Sequence, residues 1–440
     1  MRVPRFPAVS LFTNCGAGDL GYQTAGFRFQ VLAELEKERL AVAALNLPGA
    51  HVIAGDLRET WPSVVAAYRS RVGSARPALL SACPPCQGMS SARSGRGLAS
   101  DPDAGSRDQR NLLVEVVARV AEELRPRLIV VENVFAFLAR RVRHPDTQEP
   151  ISAARLLLER LASGYEAFAM RVDLADFGVP QSRRRSFLVL VCRKEAGLTR
   201  LREAGRAPFP RPTHGGDELP SHVTLADALS ELSPGSLDDG VKRLHVAPKM
   251  DKQREFMVSS IPPNRGASAW ENNACGSCGT VEVQAEDALC PNCEGPLARP
   301  VARDGDVWRL IHGFRNSSYR RMSPDKPAAT ITTASGRISS DNTLHPSEHR
   351  VLTVLECQHL QTFPIDFDWG DQFERRGHSS LRAMIGEAVP PRFTELHGRI
   401  LTSLLSGHAP RAAMSAKDPR IRSAERQLEA AKPDESYSVE

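Results

Sequence analysis

The stretch Pro77-Ala-Leu-Leu-Ser-Ala-Cys-Pro-Pro-Cys-Gln-Gly-Met-Ser90 decides how the chain is read. The apolar run Pro77 to Leu80 reads as a buried strand. Pro84 and Pro85 stop it and remove two backbone donors. Cys86 is thereby expected at a strand end, at the mouth of a loop, and in open α/β sheets ligands sit at the carboxyl ends of strands. The following loop, 87–109, holds four Gly and five Ser and reads as a mobile segment able to close over a substrate. Taken alone, the stretch also fits a core cysteine beside a turn, the commoner use of a free cysteine.

Upstream, residues 8–12 read as a first strand, followed by a turn carrying Gly16, Gly18 and Gly21 and a helical stretch to Gly26. A Gly-rich turn after strand one is a nucleotide-cofactor signature, and equally a tight structural turn. Phe29–Leu32 reads as strand two with Glu34 and Glu36 just beyond it; Ile53 leads to Gly55-Asp56-Leu57 at the end of strand three. An acid at such a strand end suits a ribose hydroxyl pair, although each acid alone also reads as a surface charge.

Downstream, 110–124 places Leu112, Leu113, Val116, Val117, Val120, Ala121 and Leu124 on one helical face, with Asp108 as N-cap and Pro126 as stop. Leu128–Val131 reads as a buried strand with Glu132-Asn133 at its end, where an acid is costly to bury without a partner. A helix over 152–163 and strands over 168–173 and 185–192 follow. Alternation in an extended segment puts Arg183 and Arg185 on one face and Arg184 on the other, which suits two guanidinium groups in a shared site.

After Lys194 the character changes. Residues 203–325 are Pro- and Gly-rich without a sustained apolar period, as in a second domain or large insert. Within it, Cys275-Gly-Ser-Cys278 and Cys290-Pro-Asn-Cys293 stand eleven residues apart, a zinc-ribbon spacing. Arg299, Arg303, Arg309, Arg315, Arg320 and Arg321 then interleave with Trp308, His312, Phe314 and Tyr319, which suits a nucleic-acid surface or a solvated basic face.

Four stretches, in order, carry a resemblance: Ser10-Leu-Phe-Thr-Asn-Cys-Gly16, Pro85-Cys86-Gln87, Val130-Val-Glu-Asn-Val134 and Gln181-Ser-Arg-Arg-Arg185. Together they closely resemble the DNA cytosine-5 methyltransferase family, over about residues 8–195 and 325–402. The later segments Pro327–Thr332, Arg350–Pro364 and Gly386–Pro391 resemble its closing motifs. The resemblance implies an α/β fold: a doubly wound, Rossmann-like methyltransferase domain with a smaller, irregular target recognition domain carrying the zinc ribbon. The expected layout is a catalytic domain over 1–200 completed by 380–410, a recognition domain over 201–379 with the ribbon at 272–296, and a flexible tail over 411–440.

By the same resemblance, Cys86 is the nucleophile that adds to carbon 6 of a flipped-out cytosine. Glu132, Arg183 and Arg185 complete the catalytic set. S-adenosylmethionine falls to Phe12, Thr13, Cys15, Gly16, Ala17, Glu34, Asp56, Leu57, Pro84, Glu387 and Ala388, with Glu34 on the ribose and Asp56 on the adenine amino group. Asn14 stands where the family usually has Gly; Asn tolerates left-handed φ, so the turn can survive. DNA contacts are expected from Gln87, Ser90, Arg93, Arg96, Arg315, Arg320 and Arg321, and a structural Zn²⁺ from Cys275, Cys278, Cys290 and Cys293.

The net charge of +5 and pI near 8.8 permit double-stranded DNA as partner without demanding it. No apolar run approaches a membrane span. Four of the nine cysteines sit in the two knuckles and the rest suggest no disulfide framework, so the expected setting is cytoplasmic, nucleoid-associated if bacterial. A restriction–modification or phage-defence context, with cognate defence proteins as partners, is what the family implies. Rival readings are an RNA cytosine-5 methyltransferase on the same domain, an inactive DNA-binding paralogue, and a nicotinamide dehydrogenase using the first Gly-rich turn.

Overall fold

The computed structural model describes residues 5–85, 109–139, 141–232, 239–270, 274–284, 286–297, 299–310, 317–340 and 343–430. Two compact units emerge: Met1–Phe177 with Arg184–Thr213 and Val389–Glu440, and Gly178–Arg183 with His214–Ala388. In chain order the first unit begins with β1 (Pro7–Leu11), α1 (Ala17–Thr24), β2 (Arg28–Glu34), α2 (Lys37–Asn46), β3 (His51–Ala54), α3 (Leu57–Val72) and β4 (Leu79–Ala82). It continues with α4 (Val114–Leu124), β5 (Leu128–Asn133), the small hairpin β6 (Arg141–Arg143) and β7 (Pro150–Ser152), and α5 (Ala153–Leu161). Then come β8 (Tyr165–Asp173), β9 (Arg184–Cys192), α6 (Ala196–Glu203) and β10 (Arg206–Pro210).

The central sheet has the order β3-β2-β1-β4-β5-β9-β8. Its first five strands are parallel, while β9 runs antiparallel to both β5 and β8. Parallel strands covered on both faces need near-continuous apolar runs, and these strands have them. Val9, Leu11, Leu80, Ile129 and Val131 share one core with Val64, Tyr68, Val117, Val120 and Leu157. The amphipathic stretch read as one helix over 110–124 divides: a 3-10 turn spans Gln109–Leu113, and the α-helix starts at Val114.

The second unit holds α7 (Leu225–Ser230), α8 (Asp239–Lys242), α9 (Lys252–Ser259), the hairpin β11 (Val301–Asp304) and β12 (Val307–Leu310), α10 (Val354–Leu360) and α11 (Gln372–Glu387). Reciprocal capping boxes start α7 (Thr224 with Asp227) and α10 (Thr353 with Glu356), and Gly377 at φ 68° kinks α11. The boundaries differ from the sequence expectation. The first unit extends to Thr213, Gly178–Arg183 crosses to the second, and the return falls at Val389.

The chain returns through α12 (Pro391–Leu405), β13 (Ala413–Ser415) and α13 (Pro419–Ala430). A Cβ on Gly21 of α1 would stand 2.1 Å from Thr394 Oγ1 and 2.2 Å from the Pro391 carbonyl, so only glycine permits this helix approach. The expected flexible tail is corrected for 411–430. β13 pairs with β10, and α13 buries Ile421 and Ala424 with Leu428 beside them. Arg420 also pairs with Asp176 at 2.7 Å. A short apolar stripe at helical spacing was hidden in an Ala-, Lys- and Glu-rich composition; residues 431–440 lie outside the described residues.

Candidate active site

Because β1 to β5 are parallel, their carboxyl ends share one edge, and antiparallel β9 starts at that edge. There the first unit gathers Phe12 and Thr13 after β1, Glu34 closing β2, Asp56 after β3, Cys83 and Pro84 after β4, Glu132 and Asn133 closing β5, and Arg185 opening β9. Glu34, Glu132 and Asn133 lie inside the strands rather than just past them.

The turn after β1 is tightly specified. Phe12 and Asn14 are left-handed at φ 58° and 52°, and Gly16 at 80°. Asn14 thus adopts the conformation its side chain tolerates and a glycine would take freely. The Glu34 carboxylate accepts from the N–H groups of Asn14 (2.8 Å), Leu35 (2.9 Å) and Glu36 (3.3 Å), which ties the ends of β1 and β2 together. Burial raises its pKa against these lowering bonds. Cys15 is fully buried, and burial pushes its thiol up to about 12, so it packs rather than reacts. Ala17 opens α1 and is buried. Asp56 caps α3 through Arg58 N, Leu57 is buried, and both Asp56 oxygens accept from the exposed Arg58 guanidinium at 3.0–3.1 Å.

Around Glu132 the polar groups converge. Arg185 Nε stands 2.9 Å from Oε1, and Cys83 Sγ donates to Oε2 at 2.8 Å. Asn133 Nδ2 donates to the Pro84 carbonyl at 3.0 Å, while Ser186 Oγ reaches the carbonyls of Asn133 and Val134. The buried acid thus has a cation beside Oε1, which receives no hydrogen bond among the described residues, and a thiol donor on Oε2. Cys86, Gln87, Ser90, Arg93 and Arg96 lie outside the described residues, which resume at 109.

Arg183 takes a different place from the one its spacing suggested. Only 1% exposed, it donates to the carbonyls of Ile331, Gly386 and Ala388 within the second unit. Gln181 acts alongside it: Oε1 accepts from Ile331 N at 2.7 Å and Nε2 donates to Leu360 O and Gln361 Oε1. Glu387 and Ala388 close α11 in that same unit.

Arg321 is corrected as a DNA contact. It is 0% exposed, and its guanidinium is spent on the carbonyls of Val258, Ile261, His345 and Glu348. Tyr319 and Arg299 are likewise buried. Arg320 is half-buried and bonded to Gly266 O at 2.7 Å, and Arg315 lies outside the described residues.

The sulfurs of Cys275, Cys278, Cys290 and Cys293 lie within 4.8 Å of one another, with Cys275–Cys293 at 3.7 Å and Cys278–Cys290 at 3.6 Å. Thiolates at about 2.3 Å from a tetrahedral zinc stand about 3.8 Å apart, so the donor set fits that ion. Backbone N–H groups of Cys278 and Ser277 pull the Cys275 thiol down to about 6. Each knuckle ends on a left-handed residue, Gly279 and Glu294.

The family described as C-5 cytosine-specific DNA methylase matches residues 6–401. The chain belongs to that family. It is 27% identical over 401 residues to the type II methyltransferase M1.HgaI of Avibacterium volantium, covering 88% of this chain and 95% of the relative. It is also 27% identical to the type II methyltransferase M.Eco47II of Escherichia coli, covering 91% and 79%. A crystal structure of a prophage-encoded DNA modification methyltransferase from E. coli superposes with a TM-score of 0.53 at 19% identity, covering 91% of this chain and 99% of that one. This is the α/β fold of the cytosine-5 methylases.

Two residues of this cytosine-5 methylase escaped the sequence reading. Asp19 is 5% exposed and accepts from Ser10 Oγ (2.8 Å) and Thr13 Oγ1 (2.5 Å), bracing the turn; burial raises it to about 6 against these bonds. Its signal was an acid on the buried face of α1. Cys83 carries no sequence signal of its own beside Cys86, three residues on.

Proposed function

We propose that this DNA cytosine-5 methyltransferase modifies a flipped-out cytosine in a specific duplex DNA word through a covalent Cys86–carbon 6 adduct, as the modification partner in a restriction–modification or phage-defence system. The observation that carries this reading is the Arg185–Glu132–Cys83 cluster at the edge that also bears the cofactor turn, with Pro84 anchored two residues before Cys86.

Carbon 5 of cytosine is a poor nucleophile. Addition of the Cys86 thiolate at carbon 6 makes carbon 5 enamine-like. Glu132 holds or protonates N3, and Arg185 donates to the base O2, so both offset charge that develops on the ring. A base then removes the carbon 5 proton, the ring electrons expel the thiolate, and 5-methylcytosine is released. The target must leave the stack to reach these groups.

Phe12, the 13–17 turn, Glu34 and Asp56 at successive strand ends would hold S-adenosylmethionine, and the left-handed backbone and fixed carboxylate there fit such a ligand. When bound, it supplies an electrophilic methyl group. The four ribbon thiolates would hold one structural Zn²⁺; four protein ligands leave no open position for chemistry. Gln87, Ser90, Arg93, Arg96, Arg315 and Arg320 remain the proposed DNA contacts. Among the described residues no helix is long and apolar enough to cross a membrane.

The test is incorporation of a tritiated methyl group into duplex DNA and, separately, into total RNA, by wild type and Cys86→Ser. A serine hydroxyl is not ionised near neutral pH, so the variant should lose transfer while still binding cofactor. Activity within tenfold of wild type would contradict the covalent route, and transfer to RNA alone would replace the substrate.

A further inference from the structure

We propose that Cys83 is a positioning residue for methyl transfer: its thiol anchors Oε2 of Glu132 opposite Arg185 and so fixes the plane in which the carboxyl group meets the base. The inference rests on the assignment of Glu132 to the cytosine ring.

Cys83 directly follows β4, and its N–H bonds to the Leu11 carbonyl at 3.3 Å, so the sheet holds it. Glu132 sits on β5, which is paired to β4 on one side and to β9 on the other. The two carboxylate oxygens therefore meet groups from different strands, Cys83 Sγ at 2.8 Å and Arg185 Nε at 2.9 Å. The terminal torsion of a glutamate is otherwise broad and nearly two-fold, so a donor on one oxygen and a cation on the other select one orientation. Asn133 closes the same corner by binding the Pro84 carbonyl. Among the described residues, charges from α1 act on this pair. Tyr22 is electrostatically coupled to Glu132, Cys83 and Asp19, and Asp19 is itself bonded to Ser10 and Thr13. Loss of the thiol should thus loosen the group, which a space-filling cysteine would not do.

The experiment is single-turnover methyl transfer to duplex DNA, with cofactor and DNA affinities measured alongside, under reductant, for wild type, Cys83→Ala, Cys83→Ser and Glu132→Gln. Cys83→Ala should lower the single-turnover rate by about tenfold, with cofactor and DNA affinities nearly unchanged. Cys83→Ser, which keeps a donor and nearly the same volume, should restore the rate to near the wild-type value. An unchanged rate in Cys83→Ala, or an equal loss in both Cys83 variants, would show that Cys83 only fills space. If Cys83→Ala fails to fold, a loss of about tenfold in Cys83→Ser overturns the proposal. A Glu132→Gln protein with unaltered rate would instead remove the assignment of Glu132 itself.

Discussion

In the first unit, seven strands pair their buried backbone groups with one another and side chains such as Asn133 and Tyr165 each close a single carbonyl; in the second, arginine side chains close several at once. Arg321 covers four carbonyls, Arg183 three, Arg382 reaches Leu352 O, and Gln358 and Gln361 reach Pro364 O and Ile385 O. Buried carbonyls must be paired somewhere, and a unit with little sheet draws its donors from arginine and glutamine. The contrast separates Arg183 from Arg185, two residues apart. One ties irregular chain together; the other faces Glu132 from a strand end. It also means that counting basic residues in the second unit overstates its DNA-binding surface.

The largest effects are expected at the strand edge. Glu132→Gln and Arg185→Ala should each lower the single-turnover rate by about a hundredfold or more, with near-normal cofactor affinity; Arg185→Ala, which strands a buried carboxylate, should also lower the melting temperature. Unchanged rates would make the pair structural, as in the second unit. Replacing Cys290 and Cys293 by Ser should release zinc and weaken DNA binding by about tenfold, a few lost contacts, while leaving S-adenosylmethionine affinity nearly unchanged. Metal analysis with calorimetry on both ligands checks this. Equal loss of both affinities would mean that the ribbon supports both units.

Arg321→Ala should cost about 3 kcal/mol of stability through its stranded carbonyls, with no change in the salt dependence of DNA binding. A flatter salt slope without destabilisation would return Arg321 to the DNA surface. The smallest effect concerns Asp19. Its folded pKa of about 6 exceeds the ordinary 3.8, so its stabilising contribution is complete below about pH 4 and is lost as pH rises through about 6. Asp19→Asn should flatten the stability–pH curve over that window in denaturant titrations; an unchanged slope would show that Asp19 does not titrate there.

Much of the first unit was legible in sequence because burial on both faces forces apolar runs, and Leu79–Ala82 and Leu128–Asn133 show them plainly. Strand order then brings Glu34, Asp56, Glu132 and Arg185 to one edge. What the sequence hid depends on contacts far apart in the chain. The carbonyls that claim Arg183 lie about 150 to 200 residues away. The partner of Cys83 is on another strand. Docking of α13 turns on three apolar residues in a polar segment. The four-cysteine cluster was legible for the opposite reason, since its cysteines are local in sequence and their sulfurs lie within 4.8 Å of one another.

Base-resolution methylation mapping of DNA from cells expressing the protein, against cells expressing Cys86→Ser, reads the modified base, its position and the DNA word together. It should show 5-methylcytosine at one recurring sequence with wild type and none above background with the variant. Methylation on adenine, on the cytosine amino nitrogen, or at the same sites in both strains would contradict methylation of cytosine carbon 5 through Cys86.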